Sequence, residues 1–194
     1  MEIKDYGLRR ERGYLSHYEN DEITLPARFD GVVQAAGNLS GLISSGRVRH
    51  WLNQLDDPKL EEWALEAAEA EMRTAMVHYS FLVQSYVWGE DTPPAYLAAN
   101  LARPMVAISD RLGQAPLLPY SGYVLDNWAL LDKSGPINLD NIYMYQNFAG
   151  GDETWFVMIH VAIEAEAGIL LDNVAKLVTV AKNGDEAEAE RLMV

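Results

Sequence analysis

The residue best placed for chemistry is His160, in the middle of the strongly apolar stretch DETWFVMIHVAIEAEAG, residues 152–168. The spacing predicts a helix on which Phe156 and Glu164 lie four residues before and after His160, on the same face. An imidazole beside an aromatic ring suits a pocket for a planar aromatic ligand. Two other interpretations stay open. One is a core histidine hydrogen-bonded to Glu164; the other is a His160–Glu164 metal pair, which two ligands alone do not complete.

A second candidate group is the aromatic run LLPYSGYVLDNW, residues 117–128. Tyr120, Tyr123 and Trp128 each combine a flat apolar ring with one polar group, which suits the wall of a binding pocket. The same density of aromatic residues is typical of a packed core, so the run also has a purely structural interpretation.

Residue type and spacing exclude several common reaction types. The chain has no cysteine, which excludes a thiolate nucleophile, a disulfide and a Cys-ligated metal. The four histidines, His17, His50, His78 and His160, form neither a His-x-x-x-His pair nor a Glu-x-x-His motif. No glycine-rich phosphate-binding loop and no Gly-x-Ser-x-Gly elbow occurs.

Composition predicts a soluble, cytoplasmic protein. The 194 residues include 15 Lys+Arg and 29 Asp+Glu, a formal net charge of −14. This excess of negative charge disfavours binding to nucleic acid and to anionic lipid. The opening MEIKDYGLRRERGYL lacks the apolar core of a signal peptide. Because His160, Glu164 and Glu166 interrupt the apolar helix, we expect no membrane span.

The elements that must position these residues are mainly helical. With Asp57 as N-cap and Pro58 as first helical residue, a helix is predicted through DDPKLEEWALEAAEAEMRTAMVHYSFLVQSYVW. The proline-containing stretch GEDTPPAYLAANLARP is predicted to be a loop, and short helices are predicted in MVAISDRLG and YSGYVLDNWALL. The turn-rich run SGPINLDNIYMYQNFAGG predicts a short strand.

The longest predicted helix runs from Asp152 to Lys182, about 45 Å at 1.5 Å per residue. An apolar helix of this length is typical of the centre of a larger core. Asn183-Gly184 ends it, and Asp185 and Glu188 then have the spacing of a capping box. The chain ends within the helix that this box would start, so we expect the front part of a larger protein.

Taken in order, several segments resemble the indoleamine 2,3-dioxygenase family, haem enzymes that open the indole ring of tryptophan. RGYL and LPARFDGVVQAAGNLSGLISSGRVRHWLNQL are similar to the family's opening segment, and SYVWG (85–89) is similar to its AYVWG-like segment. LARPMVAISDRLGQAPLLPYSGYVLDNW resembles a run that closes on L-x-N-W. GGDETWFVMIHVAIEAEAG resembles the start of the haem helix in the large domain. The order and spacing of these short segments carry the resemblance.

The resemblance implies a substrate pocket above the haem. It places Tyr120, Tyr123 and Val124 among the lining residues, Phe156 as the aromatic residue that packs on the indole, and His160 as the distal, catalytic residue. The mammalian enzymes have a small hydroxyl residue at the position of His160, so this chain departs from them. A distal histidine resembles the related tryptophan 2,3-dioxygenases, in which a neutral imidazole can accept the indole N–H.

The resemblance also implies what this chain lacks. The family's proximal histidine, the arginine for the substrate carboxylate and a second pocket aromatic belong to the C-terminal half, so no metal ligand is expected here. The expected cofactor is haem b with its iron, bound only in the complete protein; this chain alone is expected to be inactive. Expected partners are tryptophan or a related indole, O2, and the C-terminal half, in the same polypeptide or a separate chain. An exposed half-core would favour self-association.

The expected fold is therefore mainly α: a small helical N-terminal domain with a short strand, residues 1–148, and the first long helix of an all-α haem domain, residues 149–194. The expected oxidoreductase activity inserts O2 across the indole C2–C3 bond of tryptophan to give N-formylkynurenine, in the kynurenine pathway of tryptophan catabolism. Two alternatives stay open: a haem-dependent aromatic hydroxylase or other indole-modifying enzyme of the same superfamily, and a haem-free helical assembly module.

Overall fold

A computed structural model describes residues 2–193, which form a mainly α-helical protein, as predicted. The α-helices are α1 (Asp30–Gly37), α2 (Leu39–Ser44), α3 (Val48–Leu52), α4 (Glu61–Glu66), α5 (Glu69–Trp88), α6 (Ala99–Leu112), α7 (Asp152–Lys182) and α8 (Glu186–Leu192). Short 3-10 helices cover Ile3–Tyr6, Asn20–Glu22 and Ala27–Phe29, a π-helical turn covers Ser121–Leu125, and the strands are β1 (Trp128–Leu130) and β2 (Ile142–Met144). The division into domains between residues 148 and 149 stays a prediction.

Helix α5 forms the centre of the hydrophobic core. Its side chains are buried on nearly every side between Met72 and Tyr86, because α1, α3 and α6 all pack against it. Tyr79, Phe81 and Leu82 are completely enclosed. A helix buried all round needs no polar face, which explains why its sequence is apolar without a clear stripe. The core therefore fixes α5 up to its C-terminal end, which borders the candidate site.

The helix start predicted at Asp57 is wrong. Asp57 Oδ1 accepts a hydrogen bond from the N–H of Lys59, whose φ of 48° is left-handed, so this segment is not helical. The predicted helix is also divided into α4 and α5, because Ala67 and Ala68 have extended backbone. The Glu71 carboxylate accepts the N–H of Ala68 and caps the start of α5. Local capping and packing here outweigh the helix propensity of two alanines.

The loop predicted in GEDTPPAYLAANLARP is wrong over its second half. Helix α6 begins at Ala99 and contains Pro104. Pro104, Met105 and Ile108 are buried, and α6 packs against α5. The burial of these apolar side chains offsets the backbone hydrogen bond that a proline inside a helix removes.

The helix predicted in YSGYVLDNWALL is wrong over its second half, because Ser121–Leu125 form a π-helical turn but Trp128–Leu130 form β1. The strand predicted within residues 134–151 is confirmed as β2. Trp128 of β1 lies opposite Met144 of β2 in an antiparallel pair. Asn127 extends the pairing, because its Oδ1 accepts the N–H of Gln146 and its Nδ2 donates to the Gln146 carbonyl. Pairing between distant segments decides strand over helix here.

Helix α7 has the predicted bounds, and Asp185 caps α8 by accepting the N–H of Glu188. Its surroundings differ from the expected core position, because among residues 2–193 α7 is covered on one side only. Trp155, Ile163 and Leu170 are exposed on the other side. By length and composition α7 would also fit a membrane span, with 28% of its most apolar window buried. The absence of a membrane span therefore stays a prediction.

The N-terminal segment crosses α7 so closely that the two backbones touch. Gly13 has a φ of 56°, and a Cβ placed there would lie 2.0 Å from the carbonyl oxygen of Glu164. A Cβ on Gly168 would lie 2.4 Å from the carbonyl oxygen of Arg10. Arg10 also forms a 2.8 Å ion pair with Asp172, one helical turn further along α7. Only glycine at both positions allows this crossing.

The crossing predicts the effect of adding one methyl group. Gly168→Ala forces the two backbones apart, and we expect a loss of about 1–3 kcal/mol in the free energy of unfolding. Urea unfolding followed by circular dichroism measures this loss. Gly37→Ala is the matched control, because no atom lies within 4 Å of a Cβ at Gly37. Equal free energies of unfolding for the two variants would contradict the close backbone contact at Gly168.

His78 on α5 links stability to pH. The residue is 3% exposed, and its Nε2 lies 3.3 Å from the Tyr145 hydroxyl. Burial lowers the pKa of His78 from 6.5 to about 4. The unfolded chain therefore binds a proton near pH 6.5, whereas the folded chain does so only near pH 4. The buried, neutral imidazole therefore causes no loss of folding stability above pH 6.5. As the pH falls from 6.5 toward 4, the unfolded chain gains a proton that the folded chain does not, and the free energy of unfolding decreases.

We expect His78→Gln to remove this acid sensitivity, which amounts to at most about 1.4 kcal/mol per pH unit. Burial raises the pKa of Asp126 to about 6, which makes the protein more stable as the pH falls through that value. Asp126 is present in both proteins, so its effect cancels when the free energy of unfolding of the variant is subtracted from that of the wild type. Urea unfolding from pH 7 to pH 4 measures the difference, with the exposed His17→Gln as control. Parallel curves for wild type and His78→Gln would contradict the prediction.

Candidate functional site

The first turns of α7 carry Phe156 and His160 in contact at the surface. Phe156 is 51% exposed, His160 is partly buried, and their ring centroids are 4.3 Å apart. The Nδ1 of His160 lies 2.6 Å from the carbonyl oxygen of Phe156. Because a carbonyl oxygen only accepts, Nδ1 must carry a proton. In the neutral imidazole, Nε2 is then the hydrogen-bond acceptor.

Glu164 does not pair with His160, contrary to one interpretation of the sequence. Its Oε1 accepts a hydrogen bond from the Tyr120 hydroxyl at 2.9 Å. Burial, and then the bond to Glu164, raise the pKa of Tyr120 to about 12, so this hydroxyl remains protonated at neutral pH. A His160–Glu164 metal pair also gains no third ligand, because within residues 2–193 no three His, Cys, Asp or Glu side chains cluster around a common point.

Glu153 fixes Tyr123 against the start of α7. Its carboxylate accepts from the Tyr123 hydroxyl at 3.3 Å and from the backbone N–H groups of Phe148 and Ala149 at 3.0 and 2.9 Å. Burial, followed by the nearby Glu153 carboxylate, raises the pKa of Tyr123 to about 12. Sequence reasoning missed Glu153, since an acidic residue in a first helical turn is usual and does not indicate a long-range contact.

Four of the five predicted site residues lie together on one surface, which we call the aromatic face: Tyr120, Tyr123, Phe156 and His160. Tyr120 meets His160 edge-on with centroids 6.3 Å apart, and Tyr123 lies 6.3 Å from Phe156. Val124 belongs to the π-helical turn, is fully buried and does not reach this surface. Val124 can influence the aromatic face only by packing in the core under its residues. The functional roles assigned to all five residues stay predictions.

A cavity of about 490 Å³ opens beside the aromatic face. Tyr120 and Tyr123 form part of its wall, whereas Phe156 and His160 do not line it. Trp88 contributes another aromatic side chain to the wall. Sequence reasoning noted Trp88 only as part of the SYVWG segment, because nothing in the sequence places the end of α5 next to the π-helical turn.

Comparison with known proteins identifies the family of this chain. The sequence model of the indoleamine 2,3-dioxygenase family matches residues 2–193. The match covers nearly the whole chain, so it includes both the small helices and α7. The chain belongs to the indoleamine 2,3-dioxygenase family.

Individual relatives show the same likeness at moderate identity. Indoleamine 2,3-dioxygenase 1 of Rattus norvegicus is 26% identical over 194 residues, 98% of this chain and 46% of that protein. Indoleamine 2,3-dioxygenase 2 of Homo sapiens is 31% identical over 170 residues, 86% of this chain and 40% of that protein. Indoleamine 2,3-dioxygenase of Saccharomyces cerevisiae is 30% identical over 154 residues, which are 76% of this chain and 34% of that protein. This chain therefore spans less than half the length of each of these relatives.

Proposed function

We propose that this chain forms one wall of the active site of a haem-dependent dioxygenase acting on tryptophan or a related indole. The reaction adds both atoms of O2 across the indole C2–C3 bond and converts tryptophan into N-formylkynurenine. Family membership supports the reaction class. The observation that carries the assignment of the site is the Nε2 of His160, which has no hydrogen-bond partner within residues 2–193, beside the ring of Phe156.

His160 orients the substrate by accepting the indole N–H. The Phe156 carbonyl holds Nδ1–H, so Nε2 is the acceptor before the substrate arrives. A ring that is already fixed loses little conformational freedom when the substrate binds, which strengthens the hydrogen bond. The contact requires a neutral imidazole, because both nitrogens of a protonated ring are donors.

The other residues of the aromatic face supply shape and exclude water. Phe156 packs on the flat face of the indole, an arrangement that aromatic rings favour. The Tyr120 and Tyr123 hydroxyls are held by Glu164 and Glu153, so both phenols keep a fixed orientation. The rings thus form a rigid edge beside the substrate, which limits the geometries in which it can react.

The side chains around the aromatic face suit haem as a neighbour. Ile159 and Ile163 are exposed on the same helix as Phe156 and offer an apolar surface for a flat macrocycle. Haem, when bound, would supply the redox chemistry that activates O2. We assign the protein ligand of the iron to a segment outside these 194 residues, in keeping with the 46% of the rat relative's length that this chain covers. Activity is then expected only when that segment is present.

The indole contact is tested by comparing tryptophan with 1-methyltryptophan, which lacks the indole N–H, in the haem-loaded protein that includes the segment with the iron ligand. In the wild type we expect kcat/KM to be about 10-fold higher for tryptophan, the value of one hydrogen bond. His160→Ala removes the acceptor, so this ratio should fall toward 1. His17→Ala is the control, because His17 is exposed and lies outside the aromatic face. An unchanged ratio in His160→Ala would remove His160 from the mechanism.

The reaction itself is tested with ¹⁸O-labelled O2 and mass spectrometry of the product formed by the same haem-loaded protein, with the segment that carries the iron ligand present. We expect a single product that carries two labelled oxygen atoms, because both atoms enter across the C2–C3 bond. A product with one labelled atom would contradict the dioxygenase and identify a hydroxylase of the same superfamily. Immediate work-up limits exchange of the product's carbonyl oxygens with water, and unlabelled O2 in labelled water measures the exchange that remains.

A further inference from the structure

The cavity beside the aromatic face has the properties of a separate binding site. It lies between the C-terminal end of α5, the segment that precedes the π-helical turn, and the turn itself. Its volume of about 490 Å³ falls within the range of small-molecule sites. The side chains that form most of its wall are apolar or aromatic: Trp88, Leu118, Pro119, Tyr120, Tyr123 and Phe148.

The aromatic part of this wall is rigid on one side and exposed on the other. Tyr123 and Phe148 both pack against the buried ring of Phe81, with centroid distances of 5.8 and 4.5 Å. Trp88 is 69% exposed, so its large ring is left without full cover. A flat ligand between these rings would cover Trp88 and contact the fixed rings without rearranging the core.

Two polar groups border the cavity on successive residues of α5. No hydrogen bond joins the Gln84 amide to any other residue in the described part of the chain, and Gln84 lines the cavity. Ser85 also lines it, and its buried Oγ has no hydrogen-bond partner among residues 2–193. A buried hydroxyl without a partner is unusual in a folded protein. Because the Ser85 Oγ is itself buried, the Gln84 amide is the polar group that a ligand in the cavity can reach. This end of the cavity therefore suits a ligand with one hydrogen-bonding group.

We infer that this cavity binds a small planar aromatic molecule that carries a single N–H or O–H group. The ligand lies flat between Trp88 and the Tyr123–Phe148 side, and its polar group bonds to Gln84. The site shares Tyr120 and Tyr123 with the aromatic face, but it differs from the indole contact proposed above because Phe156 and His160 do not line the cavity. Occupancy requires neither haem nor turnover, so the inference stands or falls separately from the proposed function.

The test is a titration of the 194-residue chain, without haem, with 5-fluoroindole followed by ¹⁹F NMR. We expect a saturable shift of the ligand resonance with one ligand bound in the cavity. Trp88→Ala should weaken binding about 2- to 10-fold through the lost ring contact. Gln84→Met keeps the side-chain length and should weaken it by a similar factor through the lost hydrogen bond. Leu118→Trp should fill the cavity and abolish binding.

Two control variants separate this site from other exposed rings. Trp51→Ala removes a tryptophan of α3 that does not line the cavity, and Phe156→Ala removes a ring of the aromatic face. Both should leave the affinity unchanged. Melting temperatures of all variants confirm folding, and the high exposure of Trp88 makes Trp88→Ala a mild change. The inference is overturned by the absence of a saturable shift. It is equally overturned if Phe156→Ala weakens binding while Trp88→Ala does not.

Discussion

The candidate site depends on one carboxylate, that of Glu153 in the first turn of α7. It accepts hydrogen bonds from the Tyr123 hydroxyl and from the N–H groups of Phe148 and Ala149. The unpaired N–H groups of a helix start favour negative charge at this position. Since one charged group bonds to the π-helical turn and to the segment after β2, the start of α7 is fixed relative to both. This contact therefore helps to hold Tyr123 beside Phe156.

Further along α7, a second set of contacts fixes the direction of the helix. Tyr120 donates to Glu164, and the backbone of the N-terminal segment meets the helix where Gly13 and Gly168 leave room. Side chains along one side of α7 are thereby buried, while the apolar side that carries Ile163 is exposed. A helix held at several points is a rigid support, which is what a binding surface requires for precise placement of its side chains.

The hydrogen-bond state of His160 shows how a local and a long-range contact combine. Helical spacing alone places the Phe156 carbonyl and the Glu164 carboxylate within one turn of the imidazole. Tyr120, 44 residues before Glu164 in the sequence, donates a hydrogen bond to Glu164, and the imidazole bonds to the Phe156 carbonyl. The tertiary structure therefore selects the tautomer with a free Nε2. The proposed indole contact depends on that selection.

The sequence alone determined the mainly α class, the bounds of α7 and the family, because hydrophobic period, capping residues and motif order are local properties. It also indicated four residues of the aromatic face. Only the tertiary structure decided that Val124 is buried, that Ala67 interrupts a helix, and that β1 is a strand. The residues whose contacts decide these features are distant in the sequence; Gln146, for example, bonds to Asn127 and extends the pairing of β1 with β2. Local periodicity does not record contacts between distant segments, and packing can override propensity where such contacts form.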